Sequence, residues 1–421
     1  MKLSTFGIKF TQANGITQLM DDLGKANQSN SPDIIMLGGG NPALIPAAHT
    51  VFVDELQKLI NSSRVDNMMG LYDGPEGDDN FRQAMADLLK DHYGWGLTAK
   101  NIALSNGSQS SFFTLFNLFA GEMPDGSINK ILFPLAPEYV GYADQGLIDA
   151  MFASIKPDIH FIEDEQTKLF KYQIDFDVLK EKLASDANSI GAICVSRPTN
   201  PTGNVITDDE LAQLDELAIQ YQIPLIIDNA YGHPFPGAIY TDATLRWNDN
   251  TILCMSLSKL GLPGLRTGIV IANEEVIKAM GRVSGIMTLA PNSVGPTLLT
   301  RLIKDGELIN LSEKIIKPYY QQKSELAITL FSEIFADLPV YLHKLEGAFF
   351  MWLWFKDMNI DSESLYNKLK EHDVYVIPGH NFFMGICDDW PHKNQCIRLN
   401  YAKDEATLRK GLETIKSVIT Q

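Results

Sequence analysis

Cysteine is scarce in this chain. The four cysteines among 421 residues, Cys194, Cys254, Cys387 and Cys396, form no CxxC pair and no regular spacing. That pattern argues against a zinc ribbon and against a disulfide-stapled scaffold. Cys194 and Cys254 fall inside apolar runs and read as small buried hydrophobes. Histidines do not cluster: His233, His380 and His392 read as structural or solvated, and no metal is expected. No window approaches the roughly 18 uninterrupted apolar residues of a membrane span. The start of the chain, MKLSTFGIKFTQANG, lacks the apolar stretch of a secretory signal. Basic residues are outnumbered, 35 Lys and Arg against 52 Asp and Glu, giving a formal charge of −17 with no basic cluster. This balance disfavours nucleic acid or an anionic membrane as partner. No G-x-G-x-x-G follows a strand-like run; the glycines of IMLGGGNP are cut off by Pro42. The expectation is a reduced, cytoplasmic protein that acts on small molecules.

With 45% hydrophobic and 21% charged residues the chain has the composition of a globular protein with a sizeable core. Its length suits one large domain and one smaller one. KILFPL (130–135), GAICV (191–195), IPLIID (223–228), TILCM (251–255) and GIVIAN (268–273) are short runs rich in Ile, Val and Leu. They read as strands buried on both faces of a parallel sheet. Between two of them Thr207 and Glu210 form a capping box, followed by an apolar helical face of Leu211, Leu214, Leu217 and Ala218. This alternation predicts an open α/β fold whose ligands bind at the carboxyl ends of the strands. The last hundred residues differ. A long helical stretch with a break at Pro318, the aromatic strand EGAFFMWLWF, the amphipathic helix SESLYNKLKEH and the strand CIRLNY suggest a smaller α+β domain. The expected division is an N-terminal arm (1–50) contributing to the small domain, a large domain (51–305) and the small domain (306–421).

The chemistry concentrates just after the strand-like runs. Lys259 follows TILCMSLS, and Asp228 ends IPLIID. A lysine amine near an apolar strand end can form a Schiff base with an aldehyde, and a carboxylate at a neighbouring strand end can pair with a protonated ring nitrogen. That pair is what pyridoxal phosphate (PLP) requires. Asn200, in RPTNPTG, and Tyr231, in IIDNAY, can hydrogen-bond the ring hydroxyl, although NPTG alone is also an ordinary turn. Gly107, Ser108 and Gln109 open a helix whose N-terminus favours a phosphate. Ser256, Ser258 and Arg266 flank Lys259 and can complete a phosphate cup. Tyr139 is placed to stack on a flat ring. Arg398 stands in the middle of the apolar strand CIRLNY, where an unpaired guanidinium is expensive and an incoming carboxylate would relieve it.

In order and spacing, SLSK259, NPTG at 200–203, Asp228 with Tyr231, and Arg398 resemble the fold-type I PLP-dependent aminotransferases, over nearly the whole chain. The resemblance implies a mixed, mostly parallel sheet flanked by helices in the large domain. It implies amino acids and 2-oxo acids as substrates, with Lys259 carrying the cofactor, Asp228 on the ring nitrogen and Asn200 and Tyr231 on the ring oxygen. It also implies a homodimer in which Tyr72, in LYDGPEG, reaches the phosphate bound by the neighbouring subunit. Gly39 falls in the segment whose backbone helps hold the substrate carboxylate. The Lys259–Arg266 loop is one residue shorter than in the aspartate-specific branch, and no second arginine for an acidic side chain is evident, which points to a neutral amino acid. The alternative is another enzyme of the same fold type, an aminotransferase for a different neutral amino acid or a C–S lyase. A PLP-sensing transcription regulator is disfavoured, since no DNA-binding module precedes the fold.

Overall fold

The computed structural model describes residues 2–11, 21, 22, 24, 33–162, 167–358 and 360–421. In chain order the first strands are β1 (Ile35–Met36), β2 (Ile102–Ser105), β3 (Gly121–Glu122), β4 (Ile128–Phe133), β5 (Phe152–Ser154), β6 (Asp158–Ile162), β7 (Leu169–Gln173) and β8 (Ile190–Ser196). They are followed by β9 (Leu225–Asp228), β10 (Thr251–Ser256), β11 (Gly268–Ile271), β12 (Val340–His343), β13 (Phe350–Phe355), β14 (Val374–Tyr375), β15 (Ile377–Pro378) and β16 (Cys396–Asn400).

The main sheet runs β2-β11-β10-β9-β8-β4-β3, with β5 paired to β4. β4, β8, β9 and β10 are mutually parallel, as their unbroken apolar sequences predict. Successive residues of β8 point into two different clusters. Ile193 and Val195 join one, Ala192 and Cys194 the other, so both faces are covered. Parallel neighbours need a crossover. The helix Asp208–Gln220 supplies it between β8 and β9, and its capping box forms as expected, with Thr207 and Glu210 satisfying each other's backbone N–H groups. One strand departs from expectation. β11 is antiparallel to both β10 and β2, so GIVIAN does not extend the parallel set. A run buried on both faces has the same composition in either direction, and the Lys259–Arg266 loop between β10 and β11 is too short for a helical crossover.

A second sheet runs β15-β16-β13-β12-β7-β6. Its centre is β13, FMWLWF, with all six residues buried. β6 and β7 come from 158–173, far earlier in the chain than the C-terminal residues that form the rest of this sheet. β1 pairs in parallel with β14, tying residues 35–36 to the same region. The helical path runs from Glu307–Leu311 through a π-helical turn, Ser312–Ile316, directly into the helix Lys317–Phe335, and Pro318, which has no N–H to give to the preceding turn, stands just after the π turn. The expected break at Pro318 takes the form of that π turn within one continuous helical stretch. The parallel strands together present Phe133, Ser196, Asp228 and Ser256 at one edge, and the candidate residues gather there.

Candidate active site

β10 ends in a single tight turn, Ser258–Leu260, which carries Lys259. Its Nζ donates to the carbonyl of Gly40 at 2.9 Å and stands 5.3 Å from the Tyr231 ring centre and 5.8 Å from that of Phe349. No carboxylate pairs with it among the described residues. Burial, and then the neighbouring positive charge of Arg398, push the ammonium down to about 8, while Asp228 opposes the shift. Asp228, at the end of β9, accepts from the hydroxyl of Tyr142 and, at 3.0 Å, from the N–H of Ala230. Burial raises its pKa, and the Tyr142 hydrogen bond and Lys259 work against that.

Arg398 lies in β16 and is buried. Nη1 donates to Asn200 Oδ1 at 2.8 Å and Nη2 to the Gly38 carbonyl at 2.7 Å, while Nε has no hydrogen-bond partner among the described residues. The guanidinium carbon sits 4.3 Å from the ring centre of Phe350 and 5.4 Å from that of Phe382. Burial depresses its pKa to about 10, with no carboxylate nearby to restore it. The hydroxyl of Tyr231 is likewise buried without a partner.

The opposite end is built on glycine. Gly107 (φ +94°) caps the helix Ser108–Phe119, and a Cβ there would come within 2.2 Å of Arg266 Nη2. A Cβ on Gly268 would meet the backbone N of Ser108 at 2.7 Å. These two glycines let the Arg266 loop close onto the helix N-terminus, whose free N–H groups and dipole attract an anion. Between the two ends lies a cavity of about 360 Å³, lined by Lys259, Asp228, Tyr231, Asn200, Tyr139, Ser108, Gln109, Ser258, Arg266 and Gly40 among others.

Three expected residues stand elsewhere. Ser256 is buried, with its hydroxyl accepting from the Ser258 N–H inside the turn. Gly39 meets the site through its backbone, its carbonyl accepting from Asn400 Nδ2 at 2.9 Å. Tyr72 is 83% exposed and lines a separate cavity of about 540 Å³ with Arg64, Asp73 and Arg301. Three residues at the site were not anticipated: Tyr142, Asn400 and Glu138. The spacing Tyr139-x-x-Tyr142 was the available signal for the first.

The residues fit pyridoxal phosphate. A partnerless hydroxyl (Tyr231) and a carboxylate held by a neutral donor (Asp228) face the same cavity as a lysine of depressed pKa. At the far end two glycines and an arginine leave a cradle of phosphate character that any Cβ would fill.

Against known proteins, the family model "Aminotransferase class I and II" matches residues 32–415. The valine–pyruvate aminotransferase of Escherichia coli (strain K12) is 48% identical over 419 residues, covering 100% of this chain and 98% of the relative. A solved chain from Psychrobacter arcticum 273-4 superposes with a TM-score of 0.97 at 46% identity, covering 100% of this chain and 98% of the other. The valine–pyruvate aminotransferase structure from Salmonella typhimurium LT2 gives 0.87 at 48% identity over 96% of this chain and 98% of its own.

Proposed function

The chain belongs to the class I and II aminotransferases, which are PLP-dependent enzymes, and we propose that it transfers the amino group of L-valine to pyruvate, giving 3-methyl-2-oxobutanoate and L-alanine. The observation that carries this reading is Arg398, a buried guanidinium with an idle Nε and no carboxylate of its own, on the same side of the fold as the Lys259 amine. Arg398 stands behind Asn200, outside the cavity lining, and the cations that line the cavity among the described residues, Lys259 and Arg266, are both taken up by the cofactor in this reading. An acidic substrate would bring a second carboxylate with no cation to meet it, so a neutral side chain fits. The resemblance of APEYVGY, RPTNPTGNVITDDEL, IDNAYGHPFPG and SLSKLGLPG to valine–pyruvate aminotransferases supports valine in particular.

When bound, the cofactor supplies an electron sink conjugated to the substrate's Cα. Arg398 would receive the substrate carboxylate with charge-assisted hydrogen bonds and so orient the Cα. Lys259, with its pKa depressed to about 8, offers a neutral amine in useful amount near neutral pH and removes the Cα proton. Asp228 holds the proton on the ring nitrogen, and Tyr142 keeps that carboxylate oriented. Asn200 and Tyr231 would hydrogen-bond the ring oxygen, and Tyr139, which lines the same cavity, would help hold the ring. Gly107, Ser108, Gln109, Ser258 and Arg266 hold the phosphate.

The enzyme works as a homodimer in this reading. Met69, Leu71, Tyr72, Ile286 and Leu289 are all more than half exposed, an apolar set unlike an ordinary solvated surface. A second copy would cover them and carry Tyr72 toward the partner's phosphate. Light scattering that returns the mass of one chain at micromolar concentration would contradict this. We place the enzyme in the cytoplasm; no described helix is long and apolar enough to cross a membrane.

Steady-state kinetics with L-valine and pyruvate test the reaction. Parallel double-reciprocal lines are expected for a ping-pong cycle. Intersecting lines, or ammonia release without a keto acid acceptor, would overturn it, the latter in favour of a C–S lyase.

A further inference from the structure

Glu138 immediately precedes Tyr139 and is 1% exposed. Its Oε1 accepts from the backbone N–H of Ser196 at 2.8 Å, and its Oε2 lies within hydrogen-bond distance of the Ser196 hydroxyl. Its own backbone N–H donates to the carbonyl of Phe382 at 3.0 Å. No lysine, arginine or histidine pairs with it among the described residues. The groups that face it are acidic or neutral: Asp228 from β9, Tyr142 from its own segment, and Cys194 and Ser196 from β8. Ser196 and Asp228 are directly opposite each other in the β8–β9 ladder, and the N–H of Arg197 donates to the Asp228 carbonyl at 2.8 Å.

Two carboxyl groups therefore share one buried compartment, and the cation that faces it, Lys259, lies on the Asp228 side. Like charges held in a low-dielectric interior do not both ionise readily, and one carboxyl keeps its proton. On the reading above, Asp228 meets a protonated ring nitrogen and so carries the charge. We propose that Glu138 is a positioning residue carried as the neutral carboxylic acid. It ties Tyr139, the end of β8 that leads into Asn200, and the Phe382 segment beside Arg398 into one unit without placing a second negative charge near Asp228. Both Glu138–Ser196 contacts survive in this state: Oε1 still accepts from the Ser196 N–H, and the protonated Oε2 donates to the Ser196 hydroxyl oxygen. The burial that dominates its environment is consistent with this, raising its pKa to about 8.

The inference rests on the PLP reading for the state of Asp228, and the experiment separates the two. Holoenzyme is prepared as wild type, Glu138→Gln and Glu138→Ala, and visible absorption first establishes that cofactor is bound. The infrared difference spectrum of wild type against Glu138→Gln is then recorded at pH 7. A carbonyl stretch of a protonated, non-exchanging carboxylic acid that disappears in Glu138→Gln is expected. A carboxylate band that disappears in its place would overturn the inference while leaving the cofactor reading intact; wild type that binds no cofactor would overturn that reading. Activity gives a second readout. Glu138→Ala should lower kcat/KM by about 30-fold through loss of Tyr139 and Asn200 placement, and Glu138→Gln, neutral and able to make both Ser196 contacts, should recover at least tenfold of that loss. Should Glu138→Ala fail to fold, the infrared comparison still decides. A Glu138→Gln enzyme no better than Glu138→Ala, with an altered cofactor absorption, would mean that the negative charge itself is needed.

Discussion

Arg197 and Arg398 are both almost completely buried, yet one has all its needs met and the other does not. Arg197, at the end of β8, donates through Nε to the Ile206 carbonyl, through Nη1 to the Thr244 carbonyl and through Nη2 to the Asp208 carboxylate. Against its partial burial, the Thr244 N–H and then Arg197 hold Asp208 at about 2. Among the described residues, Arg398 has a carbonyl and an amide for partners, an idle Nε and no counter-ion. The lysines repeat the contrast. Lys171 pairs with the buried Glu346, which also fixes the N–H of Val205, whereas Lys259 finds only the Gly40 carbonyl. Removing a charge from water is expensive, and a fold that does so without supplying the opposite charge leaves part of that expense unrelieved until a ligand arrives. The paired cations are scaffold behind the NPTG loop; on the proposed reading, the unpaired ones are where anionic and electrophilic groups bind.

Substitutions should separate the two classes. The largest effect is expected at Lys259. Lys259→Ala should bind cofactor through the phosphate cradle yet lose turnover by about 10⁴-fold, whereas Lys171→Ala should lower stability by about 2–3 kcal/mol with kcat of the folded enzyme little altered. Single-turnover assays and urea unfolding distinguish these outcomes, and full activity in Lys259→Ala would end the assignment. Next, Arg398→Ala should cut kcat/KM for L-valine by roughly 10²–10³-fold, from the loss of two charge-assisted hydrogen bonds, with little loss of stability. Arg197→Ala should do the reverse, costing about 2 kcal/mol of stability because three acceptors lose their donor. An Arg398→Ala protein as destabilised as Arg197→Ala would erase the distinction.

Tyr142→Phe is expected to be smaller, lowering kcat about tenfold as Asp228 loses its neutral donor and favours its protonated form. The mildest test is of pH. The amine attacks an aldehyde only when neutral, and the pKa of Lys259 is lowered, so its neutral fraction rises with pH around a midpoint of about 8. The rate of PLP capture by apoenzyme should follow that midpoint in stopped-flow absorption. A midpoint near 10, that of an ordinary lysine, would show that burial does not act as described.

Much of this was legible in the sequence because the cofactor-facing residues follow strands whose composition is distinctive. Asp228 closes the run IPLIID, Lys259 and Asn200 follow TILCM and GAICV by four and five residues, and strand ends in an α/β sheet converge. The direction of β11 was not legible, since burial on both faces erases the alternation that would carry information. Nor were the partners of β6 and β7. The pairing of β7 with β12 spans about 170 residues of chain, and the half-exposed pattern of β6, which pairs with β7, names no neighbour. Tyr142 and Glu138 were missed for a related reason. In APEYVGY one aromatic was given a role, and nothing local reveals that the second tyrosine and the glutamate turn inward toward Asp228 and Ser196. Tyr72 illustrates the limit of a single chain, because its expected role lies across a subunit boundary.

The most direct test of the central claim is the half-reaction in a single mixing experiment. Holoenzyme is combined with L-valine and no keto acid, and cofactor absorption and released 3-methyl-2-oxobutanoate are measured together. One equivalent of the oxo acid per active site, with conversion of the cofactor to its aminated form and no ammonia, is the predicted result. An unchanged spectrum, or ammonia released with the cofactor returned to its starting form, would contradict transfer from a neutral amino acid held by Arg398.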